Sequence, residues 1–167
     1  MSMFGNSHYR WRETYFVLFD SKRRPSLEEV QKVLVTLNEN YELANLTADD
    51  AGRFESLTLL SPEDFAALDI CYLSGQEVLE HGAELADDME SAASDAGEDV
   101  PTKRIRRCDG RFDVLHFERV SEFPEEEEEG DEMLDPGALL LVLGELAKLT
   151  DGIAVDPQSG SILSEEQ

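Results

Sequence analysis

Basic residues are scarce in this chain of 167 residues. It has 14 Lys and Arg against 38 Asp and Glu, which gives a formal net charge of −24. Binding to nucleic acid or to an anionic membrane depends on cations that neutralise phosphate groups, and a surface of this charge repels both. We therefore expect neither nucleic acid nor a membrane as a direct partner.

Cysteine and long apolar runs are scarce as well. Cys71 and Cys108 lie 37 residues apart, a spacing that matches no metal or redox motif and is typical of free thiols in a reducing cytoplasm. The longest apolar run, Ala138–Leu143, has six residues, whereas a membrane-spanning helix needs ~20. The first residues also lack the apolar segment of a secretory signal. We expect a soluble, cytoplasmic protein.

The common catalytic motifs are missing from the sequence. It contains neither glycine-rich phosphate-binding pattern, no G-x-S-x-G elbow and no H-E-x-x-H pair. The three histidines, His8, His81 and His116, have no second ligand at the spacing of a zinc site. We therefore expect no cofactor, no metal and no catalysis.

One enzyme hypothesis stays open as an alternative. His116 and Glu118 share a face if the strand predicted there is regular, and Cys108 follows Arg106 and Arg107, whose charge favours a thiolate. A catalytic site would require these side chains to meet at one substrate. The ordinary alternatives are a core histidine satisfied by a carboxylate and a simple surface thiol.

Hydrophobic residues make up 41% of the chain, which suits a single globular domain. Apolar runs and alternation predict strands, and helical spacing after the capping boxes Ser26–Glu29 and Ser74–Glu77 predicts helices. The predicted strands cover residues 15–19, 41–46, 55–60, 67–73, 112–118, 153–155 and 161–163. For 67–73 the alternative is the continuation of a short helix that begins at Ser61 and Pro62. The predicted helices cover residues 26–39, 74–91 and 136–149, the last ending at Gly152 as a left-handed stop.

This order of elements predicts an α+β fold of the ferredoxin-like, split βαβ type. We expect a mostly antiparallel sheet with helices on one face, followed by a C-terminal helix and β-hairpin in residues 134–167. The apolar helix 136–149 is then the natural cover for the other face of the sheet, or for a subunit contact. Residues 1–14 are predicted to be an N-terminal arm and residues 15–167 one domain. Within that domain, 94–102 and 122–133 are predicted to be flexible acidic loops.

Acidic residues concentrate in the segment 54–102, which has no Lys or Arg. Many of them lie on the outer face of the predicted helix 74–91. An inhibitor, an immunity-type protein or a nucleic-acid mimic would present such a face to a basic partner, although a soluble acidic protein needs no partner to explain it. The candidate partner-binding residues are Glu77, Glu80, Glu84, Asp87 and Asp88.

Two predicted loops, 22–24 and 103–107, together hold seven of the fourteen basic residues. These loops are candidates for binding an acidic partner. The alternative is pairing within the molecule, with the run Glu125–Glu129 as counter-charge. The candidate residues are Arg23, Arg24, Arg104, Arg106 and Arg107.

The helix 136–149 carries more apolar residues than one buried stripe requires. Leu140, Leu141 and Val142 are therefore candidates for a self-interface. We expect a non-catalytic interaction or regulatory module whose partner is another protein or a second copy, with a homodimer as one possibility. The alternative is the acidic inhibitor described above.

One resemblance to other proteins lies in the C-terminal part of the chain. The segment Leu146–Gly160, which contains G-I-A-V-D-P-Q-S-G, together with Phe112–Glu118, resembles the ends of some small uncharacterised bacterial proteins. The resemblance implies a helix followed by a hairpin in a bacterial protein. It implies no activity and no functional residue.

Overall fold

A seven-stranded antiparallel sheet forms the centre of the molecule. The computed structural model describes residues 9–61, 66–96, 102–119, 137–158 and 161–165. Its strands are β1 (Tyr9–Phe19), β2 (Glu42–Ala48), β3 (Phe54–Ser61), β4 (Ala66–Ser74), β5 (Gly110–Arg119), β6 (Ile153–Asp156) and β7 (Ser161–Glu165). They are arranged in the order β2-β3-β4-β5-β1-β6-β7.

Four α-helices accompany the sheet in the described part of the chain. They are α1 (Leu27–Leu37), α2 (Gln76–Ala96), α3 (Thr102–Arg107) and α4 (Gly137–Thr150). The α+β class is therefore confirmed. None of these helices combines the length and apolar character needed to cross a membrane.

Helices cover both faces of the sheet, but their distribution differs from the predicted one, in which α1 and α2 share a face and the helix 136–149 covers the other face or a subunit contact. Side chains alternate along β1, and Val17 and Phe19 lie in one core while Leu18 lies in the other. Helices α1 and α4 cover the first core, and α2 and α3 cover the second. Strands that are apolar on both faces, such as the second half of β1, form where helices pack on each side.

The strand order does not confirm the split βαβ arrangement. Helix α1 joins β1 to β2, but three strands lie between them in the sheet. Helix α2 joins β4 to β5, which are antiparallel neighbours. Periodicity identified these elements, but it contains no information on which strands pair.

Several element boundaries differ from the predicted ones. Strand β1 begins at Tyr9, so the second half of the predicted arm 1–14 belongs to the sheet, where it pairs with β5 through an irregularity between Trp11 and Glu13. Residues 102–107 form α3 where a loop was predicted. Helix α2 continues to Ala96. In the loop predicted at 94–102, residues 97–101 lie outside the described residues. The whole of the loop predicted at 122–133 lies outside them as well.

The junction of α4 and β6 corrects the role predicted for Gly152. Asp151 has the left-handed conformation, with φ of 53°, and the Gly152 N–H donates to the Ala147 carbonyl at 2.8 Å. A Cβ atom on Gly152 would lie 2.5 Å from the Leu18 carbonyl oxygen. Glycine is needed here because α4 ends directly against β1.

Candidate functional site

His116, Glu118 and Cys108 do not form one site. His116 Nδ1 donates to Glu13 Oε1 at 3.1 Å, and Glu118 accepts from Arg12 at 2.9 Å. Cys108 lies in the second core, under α2 and α3 on the other face of the sheet. Its burial raises the thiol pKa to about 11, so the predicted surface thiol is a buried and weakly nucleophilic one.

Glu13 connects the polar side chains around His116. Its Oε1 atom accepts from the Tyr15 hydroxyl at 3.0 Å as well as from His116. Burial, helped by the negative charge of Glu13, raises the pKa of Tyr15. The cluster contains no serine or thiol nucleophile among these contacts, and it holds β1 against β5. The sequence contained no signal for Glu13, because its proximity to His116 depends on strand pairing.

A second polar cluster connects α2 to the sheet. Arg111 is buried and donates to Asp113 at 2.6 Å and to His81 Nδ1 at 3.2 Å. Its guanidinium also lies 4.2 Å from the centre of the Phe16 ring. Burial raises the pKa of Asp113, and Arg111 opposes that shift. Because each charge has a partner, we interpret this cluster as structural.

Metal binding finds no support in the described ranges. Within residues 9–61, 66–96, 102–119, 137–158 and 161–165, no three His, Cys, Asp or Glu side chains are grouped as metal ligands would be.

The five candidate arginines fall into different environments. Arg24 is largely buried, donates to the Phe54 carbonyl at 2.9 Å and lies 4.1 Å from the centre of the Tyr72 ring. Arg106 pairs with Asp87 at 2.6 Å and with Glu90 at 3.0 Å. These two arginines are occupied within the molecule.

Arg23 and Arg104 come together at the C-terminus of α4. Arg23 lies 4.0 Å and Arg104 3.6 Å from the carboxylate of Asp151, and Arg104 also donates to the Asp151 carbonyl. Arg107 is exposed on α3 and donates to the Lys103 carbonyl at 3.3 Å. We call the following set the basic end: Lys22, Arg23, Lys103, Arg104 and Arg107.

The predicted acidic face is exposed along α2. All five of its carboxylates lie on the solvent side of the helix. Asp87 is engaged by Arg106, whereas no ion pair within the described residues involves the other four. These four are Glu77, Glu80, Glu84 and Asp88.

The three residues of the predicted self-interface lie on different sides of α4. Val142 is fully buried in the first core, so it cannot contact a second molecule. Leu140 and Leu141 are 47% and 57% exposed. Beyond them on the helix, Glu145 and Lys148 form an ion pair at 3.5 Å.

Comparison with known protein families, with curated proteins and with solved structures finds no match for this chain. The resemblance of its C-terminal segment to small bacterial proteins therefore stays a prediction. Function has to be inferred from the geometry of the molecule.

Proposed function

We propose that this chain is a non-catalytic interaction module of the bacterial cytoplasm that associates with a second copy of itself through α4. The observation that supports this proposal is the exposure of Leu140 and Leu141, 47% and 57%, on a helix whose opposite side is already buried in the core. Adjacent large apolar side chains on a surface helix favour a protein contact over water. The placement of His116 in a cluster with Glu13 and of Cys108 in the second core supports a non-catalytic module, because the three candidate catalytic side chains do not meet at one substrate.

Charge supports a second copy as the occupant of this surface. Two chains of net charge −24 repel each other over most of their surfaces. In α4, Glu145 and Lys148 are the charged residues, and they neutralise each other. Two copies can therefore approach through α4 with little repulsion, and Glu145 of one copy can pair with Lys148 of the other.

The test is the mass in solution, measured by light scattering after size exclusion at about 0.05 M and about 0.5 M NaCl, since these salt concentrations separate screened from unscreened charge. We expect a dimer that persists at high salt, and a monomer for Leu141→Glu. The control is Leu73→Glu, which places the same charge on an exposed leucine of β4 and should leave the dimer intact. Thermal unfolding of both variants checks that they remain folded.

Two outcomes would overturn the proposal. One is a wild-type monomer at both salt concentrations, and the other is a Leu141→Glu variant that remains dimeric.

A monomer would instead favour the second candidate function, in which the chain is an acidic inhibitor. The observation that favours this candidate is the exposure of Glu80, Glu84 and Asp88 with no cation paired to them in the described part of the chain.

A further inference from the structure

We propose that the basic end is a second interaction surface, which binds a short acidic segment of a partner protein. This surface is independent of the proposed contact through α4, because none of its five side chains belongs to that helix. Its residues come from two segments about 80 positions apart in the sequence.

Strand pairing brings these segments together. Phe19 at the end of β1 pairs with Gly110 at the start of β5, and Leu18 pairs with Ile153 at the start of β6. The segment after β1 and the segments before β5 and β6 therefore lie at the same end of the sheet. Lys22 and Arg23 belong to the segment after β1, and α3 belongs to the segment before β5.

In the part of the chain that the structure describes, the acidic residues at this end are fewer than the cations. Asp20 accepts from the Lys22 N–H at 2.9 Å, and Asp109 accepts from the N–H and hydroxyl of Ser21 at 2.7 and 2.8 Å. These two carboxylates hold the backbone of the loop. Asp151 faces Arg23 and Arg104, so within the described residues three carboxylates stand among the five cations of the basic end.

One of the five cations, Arg104, has a structural role within the molecule. Arg104 binds the backbone at the C-terminus of α4, where a positive charge is stabilising. The Arg23 side chain is 64% exposed, and Lys22, Lys103 and Arg107 are also exposed. Exposed pairs such as Arg23 with Asp151 contribute little to stability, so these four cations remain available to an external anion.

The overall charge selects a short acidic peptide over a nucleic acid. The potential of a charged surface decays over about 8 Å at physiological salt. A short acidic segment can lie within the basic end, whereas a longer polyanion also meets the negative surface around it. The distribution of charge in this molecule, with one basic end in a chain of net charge −24, therefore fits a protein ligand better.

The probe is a fluorescein-labelled hexaglutamate peptide, and the measurement is fluorescence anisotropy at about 0.05 M NaCl. Because the run Glu125–Glu129 of the same chain is a potential competitor, a second protein with these five residues changed to Gln is titrated in parallel. We expect saturable binding by at least one of the two proteins, with an affinity that falls as salt is added.

Three variants of the binding-competent protein then locate the site. The double variant Lys103→Glu with Arg107→Glu should weaken binding about tenfold or more. Asp151→Asn should tighten it several-fold, because it removes the carboxylate that faces both arginines while asparagine tolerates the left-handed backbone. The control is the double variant Lys32→Glu with Arg53→Glu, which makes the same change in net charge at exposed positions on α1 and beside Asp49.

Three results would overturn the proposal. The first is no binding by either protein. The second is an equal loss in the control double variant, which would mean that net charge alone governs binding. The third is equally tight binding of a six-nucleotide single-stranded DNA, which would assign the basic end to phosphate groups.

Discussion

At the scale of single residues, Asp109 shows how one residue fixes two loops, one through its carboxylate and the other through its backbone carbonyl. It lies between α3 and β5, and its side chain accepts two hydrogen bonds from Ser21, just after β1. Its backbone carbonyl accepts from Gly75 at the start of α2, at 2.9 Å. The bonds from Ser21 lower the pKa of the Asp109 carboxyl.

We predict that Asp109→Asn lowers the free energy of unfolding by about 1–2 kcal/mol at about pH 7, because Asn keeps only one acceptor oxygen for Ser21 and loses the charge that strengthens the bond. Because the folded pKa is lowered, this stabilisation is present above the ordinary pKa and is lost as the pH falls through the folded value. Urea unfolding at about pH 7 and about pH 3 should therefore show a difference that shrinks in acid. The control, Asp50→Asn at an exposed turn position, should change little, and an Asp109→Asn deficit that persists in acid would contradict this explanation.

Residue identities predicted local structure well, but they did not predict which distant side chains form hydrogen bonds with each other. The capping box of Ser26 and Glu29 is present as predicted, because both of its hydrogen bonds lie within four residues. The partners of His116 and Glu118 were not predictable, since Glu13 and Arg12 lie more than 100 positions away. Cys108 was assigned to the surface because α3, which buries it, has no helical hydrophobic pattern.

At the scale of elements, α2 carries carboxylates with opposite effects on the stability of the fold. Glu80, Glu84 and Asp88 follow one another at spacings of four residues on the exposed side, where like charges repel. Glu90 accepts from the Thr102 hydroxyl at 2.6 Å and from Arg106 at 3.0 Å. These bonds lower the pKa of Glu90 and connect α2 to α3.

The same chemical change should therefore have opposite signs at two positions of α2. Glu84→Gln removes two repulsive pairs and should raise the free energy of unfolding by about 0.4–1 kcal/mol. Glu90→Gln removes the charge that Arg106 binds and should lower it. Urea unfolding of both variants near neutral pH measures the two effects, and a shift in the same direction for both would show that net charge outweighs local pairing.

Elements with an apolar pattern were predicted, and those without one were not. The strands β2 to β7 and the helices α1 and α4 were each predicted within about two residues of their observed ends, whereas α2 continues five residues past its predicted end. Helix α3 was missed because four of its six residues are Lys or Arg, and its stability depends on contacts with α2. The first half of β1 was missed because its pairing with β5, not its sequence pattern, makes it a strand.

At the scale of the whole molecule, a net charge of −24 opposes the compact state. We predict that raising NaCl from about 0.02 M to about 0.3 M increases the free energy of unfolding, because salt screens this repulsion. Urea unfolding at both concentrations measures the change, with KCl as the control for specific ion binding. A decrease would mean that attractive pairs such as Arg106 with Asp87 outweigh the repulsion.

The class of the fold could be predicted from the sequence, but its topology could not. Alternation and helical spacing report whether a segment faces a core, and here they identified the strands and helices. They do not report which strand lies beside which. The order of the sheet depends on how two sets of helices share its faces, and the prediction placed α2 on the same face as α1.

The position of β1 also determines when this molecule can fold during synthesis. The first strand of the sheet pairs with β5, about 100 residues further along, and with β6, near residue 155. Contacts between such distant segments slow folding, and while the ribosome is still making α2, β1 has neither neighbour. Its apolar residues Val17, Leu18 and Phe19 therefore lack both neighbouring strands until β5 and β6 have been made. Completion of this sheet has to wait for the synthesis of β6 and β7.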